Sequence, residues 1–305
     1  MPSTSALTIA IVGGGNIGST FAFQLAGAGG HHVTVIGRPD SPRLRQLQRD
    51  GAIVDIHGAR APVQVDAQLD VSIAYDLVIV TTPIHQVDAV IPALRRSAAV
   101  RILTMFNQFD PTRMAELCGA ARCDFGMPFV QASLDAQGRL RAVIGAGGQK
   151  TKLGNQRWVD MFNDAGLPAV MEPDMPRWLR CHAPLCVAFE SIAVSATRRG
   201  KGASWTEATV VARGMYAAFA LIRSSGERVY PANKAWLSAS PHWVAAAVLW
   251  SVSRIASFRV LLAQGAGECH ALADRMAAAA RMAQRAADAA SITAMKPAQR
   301  NGRLT

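Results

Sequence analysis

The sequence is poor in acidic side chains, in paired cysteines and in long apolar runs. Asp and Glu number 21 against 32 Lys and Arg, leaving a net charge of +11. No apolar stretch approaches the ~18 residues needed to span a bilayer, which excludes a helical membrane protein. Met1-Pro2-Ser3-Thr4-Ser5 carries no basic segment and runs into an apolar strand, so no secretory leader is expected. The cysteines, Cys118, Cys123, Cys181, Cys186 and Cys269, are five and contain no C-x-x-C pair. That argues against a disulfide framework and for reduced thiols in the cytoplasm. Cys181-His182 with Cys186 lacks a second ligand pair, so no metal is expected. Aromatics make up 6% of the chain, and its arginines are scattered without an aromatic-interleaved cluster, so nucleic acid is not the expected partner. A phosphorylated cofactor and a small anionic substrate account for part of the excess positive charge. Lys296 to Arg303 reads as a solvated tail.

What is present starts at the N-terminus. The apolar run Leu7 to Val12 is too short for a helix, and Gly13-Gly14-Gly15-Asn16-Ile17-Gly18 follows it directly, before a helix over Ser19 to Ala28. Strand, glycine turn and helix form the context in which G-x-G-x-x-G signals a dinucleotide site. Gly13 permits the turn, Gly15 lets the backbone approach a pyrophosphate, and Gly18 lets helix and strand pack closely. Free N–H groups at the helix start, from Asn16 and Ile17 onward, then face the phosphates. A second strand, His32 to Gly37, ends where the adenine ribose belongs. An Asp or Glu there bonds the ribose hydroxyls of NAD. This chain has Arg38, with Arg43 or Arg45 as helpers, and Asp40 behind Pro39, so the expected cofactor is NADP.

Further on, Leu44 to Asp50 reads as a helix, and Ala52 to Ile56 and Ala61 to Val65 as strands. A buried strand, Asp76 to Thr82, ends at Pro83, placing Thr82 and Pro83 at the ligand edge of a parallel sheet. A helix over Gln86 to Ser97 precedes a strand from Arg101 to Phe106, which delivers Asn107-Gln108 to the same edge. Phe125 to Gln131 and Leu140 to Ile144 read as strands around Asp135 to Gly138, and Leu153 to Ala165 as a helix. Strands alternating with helices imply parallel pairing. After Glu172-Pro173-Asp174-Met175-Pro176 the pattern becomes helical: Trp178 to Thr197, then Thr206 to Ser224 capped by Thr206, then Trp243 to Ala263 and Glu268 to Ala289. The expected architecture is α/β, a doubly wound Rossmann domain over residues 1–172, followed by an all-α substrate and dimerisation domain over residues 173–305.

These parts resemble the ketopantoate reductase family over most of the chain. The resemblance rests on Ile11-Val12-Gly13-Gly14-Gly15-Asn16-Ile17-Gly18, on Arg38, on Leu77 to Val90 with Gln86, on Phe106-Asn107-Gln108 and on Trp178. It implies an NADPH-dependent enzyme that reduces the ketone of a 2-oxo acid, with Gln86 at the cofactor and Asn107 bonding both cofactor and substrate.

The chain departs from the family where the family does its acid–base work. Arg180 stands where the family has its general-acid Lys, Pro184 where it has an Asn, and Pro83 where it has a second Lys. Arg holds its proton too tightly to donate it, although it can clamp a carboxylate. His182 is the side chain suited to exchange a proton near neutrality. Residues two apart do not share a helix face, so Arg180 and His182 meet one atom only on an irregular helix, which Pro184 could supply. Glu268, with Ser257 upstream, falls near the position of the family's substrate-binding acid, and His85 and His270 are weaker candidates. The expected reaction is hydride transfer between NADPH and the ketone of a 2-oxo acid or similar small carboxylate, in a cytoplasmic homodimer. An opine-type or 6-phosphogluconate-type dehydrogenase and a non-catalytic NADPH sensor are the alternatives.

Overall fold

A computed structural model describes residues 5–262 and 266–297. The chain divides into two compact units, Met1–Phe106 with Pro111–Pro176, and Asn107–Asp110 with Arg177–Thr305.

The first unit is a Rossmann-type layer. Its strands are β1 (Thr8–Val12), β2 (His32–Ile36), β3 (Ala52–Val54), β4 (Arg60–Pro62), β5 (Gln64–Asp66), β6 (Leu77–Val80), β7 (Ile102–Met105), β8 (Cys123–Met127), β9 (Val130–Leu134), β10 (Leu140–Ile144), β11 (Thr151–Leu153) and β12 (Ala169–Met171). Its helices are α1 (Asn16–Ala26), α2 (Pro42–Asp50), α3 (Ile91–Arg96), α4 (Pro111–Cys118) and α5 (Gln156–Asp164). Eight strands form one sheet in the order β12-β11-β8-β7-β6-β1-β2-β5, every neighbouring pair parallel except β11 with β8. Strands β1, β6 and β7 are almost wholly apolar and buried along their length, as strands covered on both faces must be.

Several segments depart from the expected ones. Helix α1 starts at Asn16, three residues early, because Gly18 fits inside its first turn: a Cβ there would lie 1.8 Å from the Gly13 carbonyl oxygen. The run Ala61 to Val65 splits between sheets at Pro62, β4 pairing antiparallel with β3 and β5 parallel with β2. Pro128 divides Phe125 to Gln131 in the same way, into β8 of the main sheet and β9 of a hairpin with β10. Pro cannot donate to a ladder, so a strand leaves its sheet there. Pro92 in the first turn of α3 confines that helix to Ile91–Arg96, after a 3-10 turn over Val87–Ala89. Helix α5 starts only at Gln156, where the Asn155 side chain accepts from the Arg157 N–H at 3.1 Å; Thr151–Leu153 before it is strand.

The second unit is helical among its described residues: α6 (Met175–Arg198), α7 (Trp205–Ser224), α8 (Ala232–Ala239), α9 (His242–Val252), α10 (Ala256–Leu262), α11 (Ala266–Met282) and α12 (Ala286–Ala294). Helix α7 is capped by Ser204, not Thr206, through a capping box with Glu207. The two long runs expected after Trp243 and Glu268 are each two helices. The first breaks at Ser253, whose hydroxyl is turned to the Trp250 carbonyl, and its expected end at Ala263 lies outside the described residues. The second breaks at Gln284, which has a left-handed φ of 58°. Helices α4 and α8 and strand β12 carried no signal strong enough to be foreseen. The basic tail falls mostly beyond the described residues, while Lys296 pairs with Asp274 at 2.7 Å.

Candidate active site

The glycine loop of the first unit is held from below. Gly13 has φ +115°, and a Cβ there would meet the Thr81 hydroxyl at 2.9 Å. That hydroxyl donates to the Gly13 carbonyl at 2.9 Å, and the buried Thr82 hydroxyl donates to Val12 O at 3.1 Å. Arg43 braces the loop instead of assisting Arg38: it donates to Gly14 O at 3.1 Å, to the Ser19 hydroxyl at 2.6 Å and to Gly138 O at 2.7 Å, and bonds Gln46. Burial pulls its guanidinium down to about 10. Arg45 turns back to the Asp40 carbonyl at 2.7 Å. Arg38, two residues past β2, is exposed. Above the loop, a Cβ on Gly15 would meet nothing within 4 Å, and no side chain caps α1. Backbone N–H groups of Asn16, Ile17 and Gly18 at a helix start, with open space at Gly15, suit a pyrophosphate. Pro83 is half-buried, and Gln86 is exposed and bonds His85 at 2.9 Å.

The second unit gathers a polar cluster. Asn107 is 7% exposed, and its amide donates to Glu268 Oε1 at 3.5 Å and accepts from the Cys186 thiol at 3.1 Å. Cys186 Sγ lies 3.3 Å from His182 Nε2, and the His182 ring stacks on Trp178 with centroids 4.4 Å apart. Asn107, His182 and Glu268 are thus brought together, with Cys186 as the link. His182, Cys186 and Glu190 recur at i, i+4 and i+8, one face of α6. Burial, then the charges of Glu190 and Glu268, push the Cys186 thiol far up, so it stays protonated. Burial, then the Glu268 charge, push Glu190 up to about 8. Burial raises Glu268 too, against the Asn107 hydrogen bonds.

Arg180 lies elsewhere. It donates to Phe109 O at 3.2 Å, pairs closely with Glu227 and lies 3.7 Å from Asp110 Oδ1. Two carboxylates balance its charge, and it orders the Asn107–Asp110 segment. Ser257 is exposed on α10, and His270 is half-buried on α11. Sequence reasoning missed Cys186 and Glu190, which the four-residue spacing from His182 could have flagged. It also missed Lys234 on α8, which is 6% exposed, with Nζ 3.2 Å from Trp178 O and 3.8 Å from the Trp178 ring centroid. No local pattern ties a residue at 234 to one at 178.

The sequence profile of ketopantoate reductase PanE/ApbA matches residues 9–158. Residues 9–158 form a ketopantoate reductase family domain. The family is one of oxidoreductases, and the match covers the glycine loop, Arg38, Gln86 and Asn107. Among solved structures, D-mandelate dehydrogenase with NADH superposes with a TM-score of 0.70 at 13% identity, over 95% of this chain and 97% of that one. Its ternary structure with NADH and anilino(oxo)acetate gives 0.67 at 14%, over 94% and 96%. A PanE/ApbA family ketopantoate reductase from Ralstonia eutropha JMP134 gives 0.69 at 18%, over 94% and 96%. At such identities the likeness is one of fold. No curated protein sequence matches the chain.

Proposed function

We propose that this ketopantoate reductase family member is an NADP-dependent oxidoreductase that interconverts a 2-oxo acid, or a similar small carboxylate, and its hydroxy form. The observation that carries the cofactor choice is Arg38, an exposed guanidinium at the end of β2 where an NAD site has a carboxylate. The nucleotide supplies or accepts the hydride when bound, and this chain's residues would hold it: Gly13, Gly15, Asn16, Ile17 and Gly18 at the pyrophosphate, Arg38 at the 2′-phosphate, Thr82, Pro83 and Gln86 along the sheet edge, and Asn107, which follows β7 in sequence. Since D-mandelate dehydrogenase is seen with NADH, NADH is the competing cofactor.

In the second unit, His182 holds and moves the proton of the substrate oxygen. Cys186 and Trp178 fix its ring. Asn107, anchored at both ends of its amide, orients the carbonyl, and Glu268 receives the substrate hydroxyl. Arg180 positions the Asn107 segment, and the buried ammonium of Lys234 supplies positive charge to a carboxylate substrate. Five free thiols suit a reducing cytoplasm, and the exposed Trp236 and Trp243 of the helical unit suit a homodimer face. A panel of 2-oxo acids with NADPH, run on wild type and His182→Ala, tests the reading. Turnover should fall about 100-fold or more with NADPH affinity kept. Unchanged turnover removes His182 from the chemistry, and tight NADPH binding without turnover on any substrate makes the protein a sensor.

A further inference from the structure

The second unit holds a basic cavity that the redox reading does not use. It lies between the end of α6, the loop before α7 and the α9–α10 junction, with a volume of about 530 Å³. Arg199, Lys201, Arg254 and Arg259 line it. Some 16 residues of α6, roughly 24 Å at ~1.5 Å per residue, lie between His182 and the helix end beside it.

The two arginines from the α9–α10 junction are fixed in place. Arg254 donates to Trp250 O at 2.6 Å, with its guanidinium carbon 3.4 Å from the Trp250 ring centroid. Arg259 donates to Arg254 O at 2.8 Å and Ser253 O at 3.0 Å. Gly202 makes room for the first of these: a Cβ there would lie 2.5 Å from Arg254 Cγ. Among the described residues one carboxylate answers four cations. Glu207 lies 3.8 Å from Arg199 and already accepts from the Ser204 N–H at 2.6 Å. Carbonyls are neutral, so they orient the guanidinium groups without cancelling their charge. The cavity therefore carries an excess of three positive charges among the described residues, on a partly preordered frame and within the size range of small-molecule sites.

We propose that this cavity binds a small molecule bearing two or more phosphate groups. Fixed guanidinium forks match phosphate oxygens in pairs, and a preordered site loses less side-chain entropy on binding. The indole covers one face of Arg254, and Nη1 is engaged with Trp250 O and Ala203 O, so Nε and Nη2 are the N–H groups that would meet the ligand. Free diphosphate and the diphosphate of a larger metabolite share this chemistry.

Calorimetric titration of the full-length protein with inorganic pyrophosphate tests it, beside inorganic phosphate, ADP, citrate and a short single-stranded RNA. The expected result is saturable pyrophosphate binding, with ADP tighter than pyrophosphate if the diphosphate belongs to a larger molecule and weaker if it is bound free. Affinity should fall about tenfold or more in the Arg254→Gln, Arg259→Gln double variant and several-fold in Lys201→Glu, and should be kept in Arg38→Ala. Lys201 is exposed in its loop, so its substitution carries the test if the double variant fails to fold. Affinity kept in the cavity variants, or lost in Arg38→Ala alone, overturns the proposal. So does citrate binding as tightly as pyrophosphate, or RNA binding more tightly.

Discussion

Glu190 makes stability depend on pH in a way that can be worked out in advance. Burial and the Glu268 charge move its carboxyl from the ordinary 4.5 up to about 8. The folded state favours the protonated form, so this contribution is complete below pH 4.5 and is lost as pH rises through 8. At about 1.4 kcal/mol per decade, the loss totals about 5 kcal/mol. Roughly 2 kcal/mol of it has gone by pH 6, and roughly 3 kcal/mol goes between pH 6 and pH 9. Glu190→Gln keeps the shape and removes the titration. Urea unfolding of both proteins at pH 6 and pH 9 isolates the effect, because His182 and the thiols are common to both. Wild type should lose about 3 kcal/mol more than the variant over that interval. Parallel losses would mean that Glu190 ionises as it does in water, and the buried two-carboxyl arrangement beside Cys186 would be wrong.

The glycines of the loop separate packing from binding. Gly18→Ala drives a Cβ into the Gly13 carbonyl and should cost about 1–3 kcal/mol of stability along with nucleotide affinity. Gly15→Ala, which meets open space, should leave stability within about 0.5 kcal/mol while weakening the nucleotide, as read by thermal melts and cofactor titration. Asp124 on β8 accepts from Arg101 at 2.9 Å and from the buried Trp158 indole at 2.7 Å. Asp124→Ala strands the buried Trp158 indole, while Arg101 keeps water and the Ala121 carbonyl, and should cost about 1–3 kcal/mol in urea unfolding; a cost below about 0.5 kcal/mol would show that water replaces the carboxylate.

The first half of the fold was legible because its signals are local. A strand, a glycine turn and a helix follow one another within Thr8–Ala26, and β6 and β7 read directly as buried runs. Proline hid what was missed: Pro62 and Pro128 sit inside apolar stretches that continue across two sheets, so hydrophobicity alone reads one strand. In the helical unit the long runs carried too little punctuation to show breaks at Ser253 and Gln284. His182, Asn107 and Glu268 could be named from chemistry, but their link through Cys186 is a matter of helix phase. Counting from Trp178 picks out Arg180 and Pro184, whereas the face that meets Asn107 bears His182 and Cys186. Lys234 is more remote still, brought to Trp178 by tertiary packing across 56 residues.

The account rests on a guanidinium at the end of β2 choosing the phosphorylated nucleotide. Titration of wild type and Arg38→Gln with NADPH and NADH, at one fixed salt concentration, tests it most directly. Wild type should prefer NADPH, and the substitution should weaken NADPH about tenfold or more while leaving NADH nearly unchanged. Equal affinities in wild type, or equal losses for both nucleotides, would contradict it.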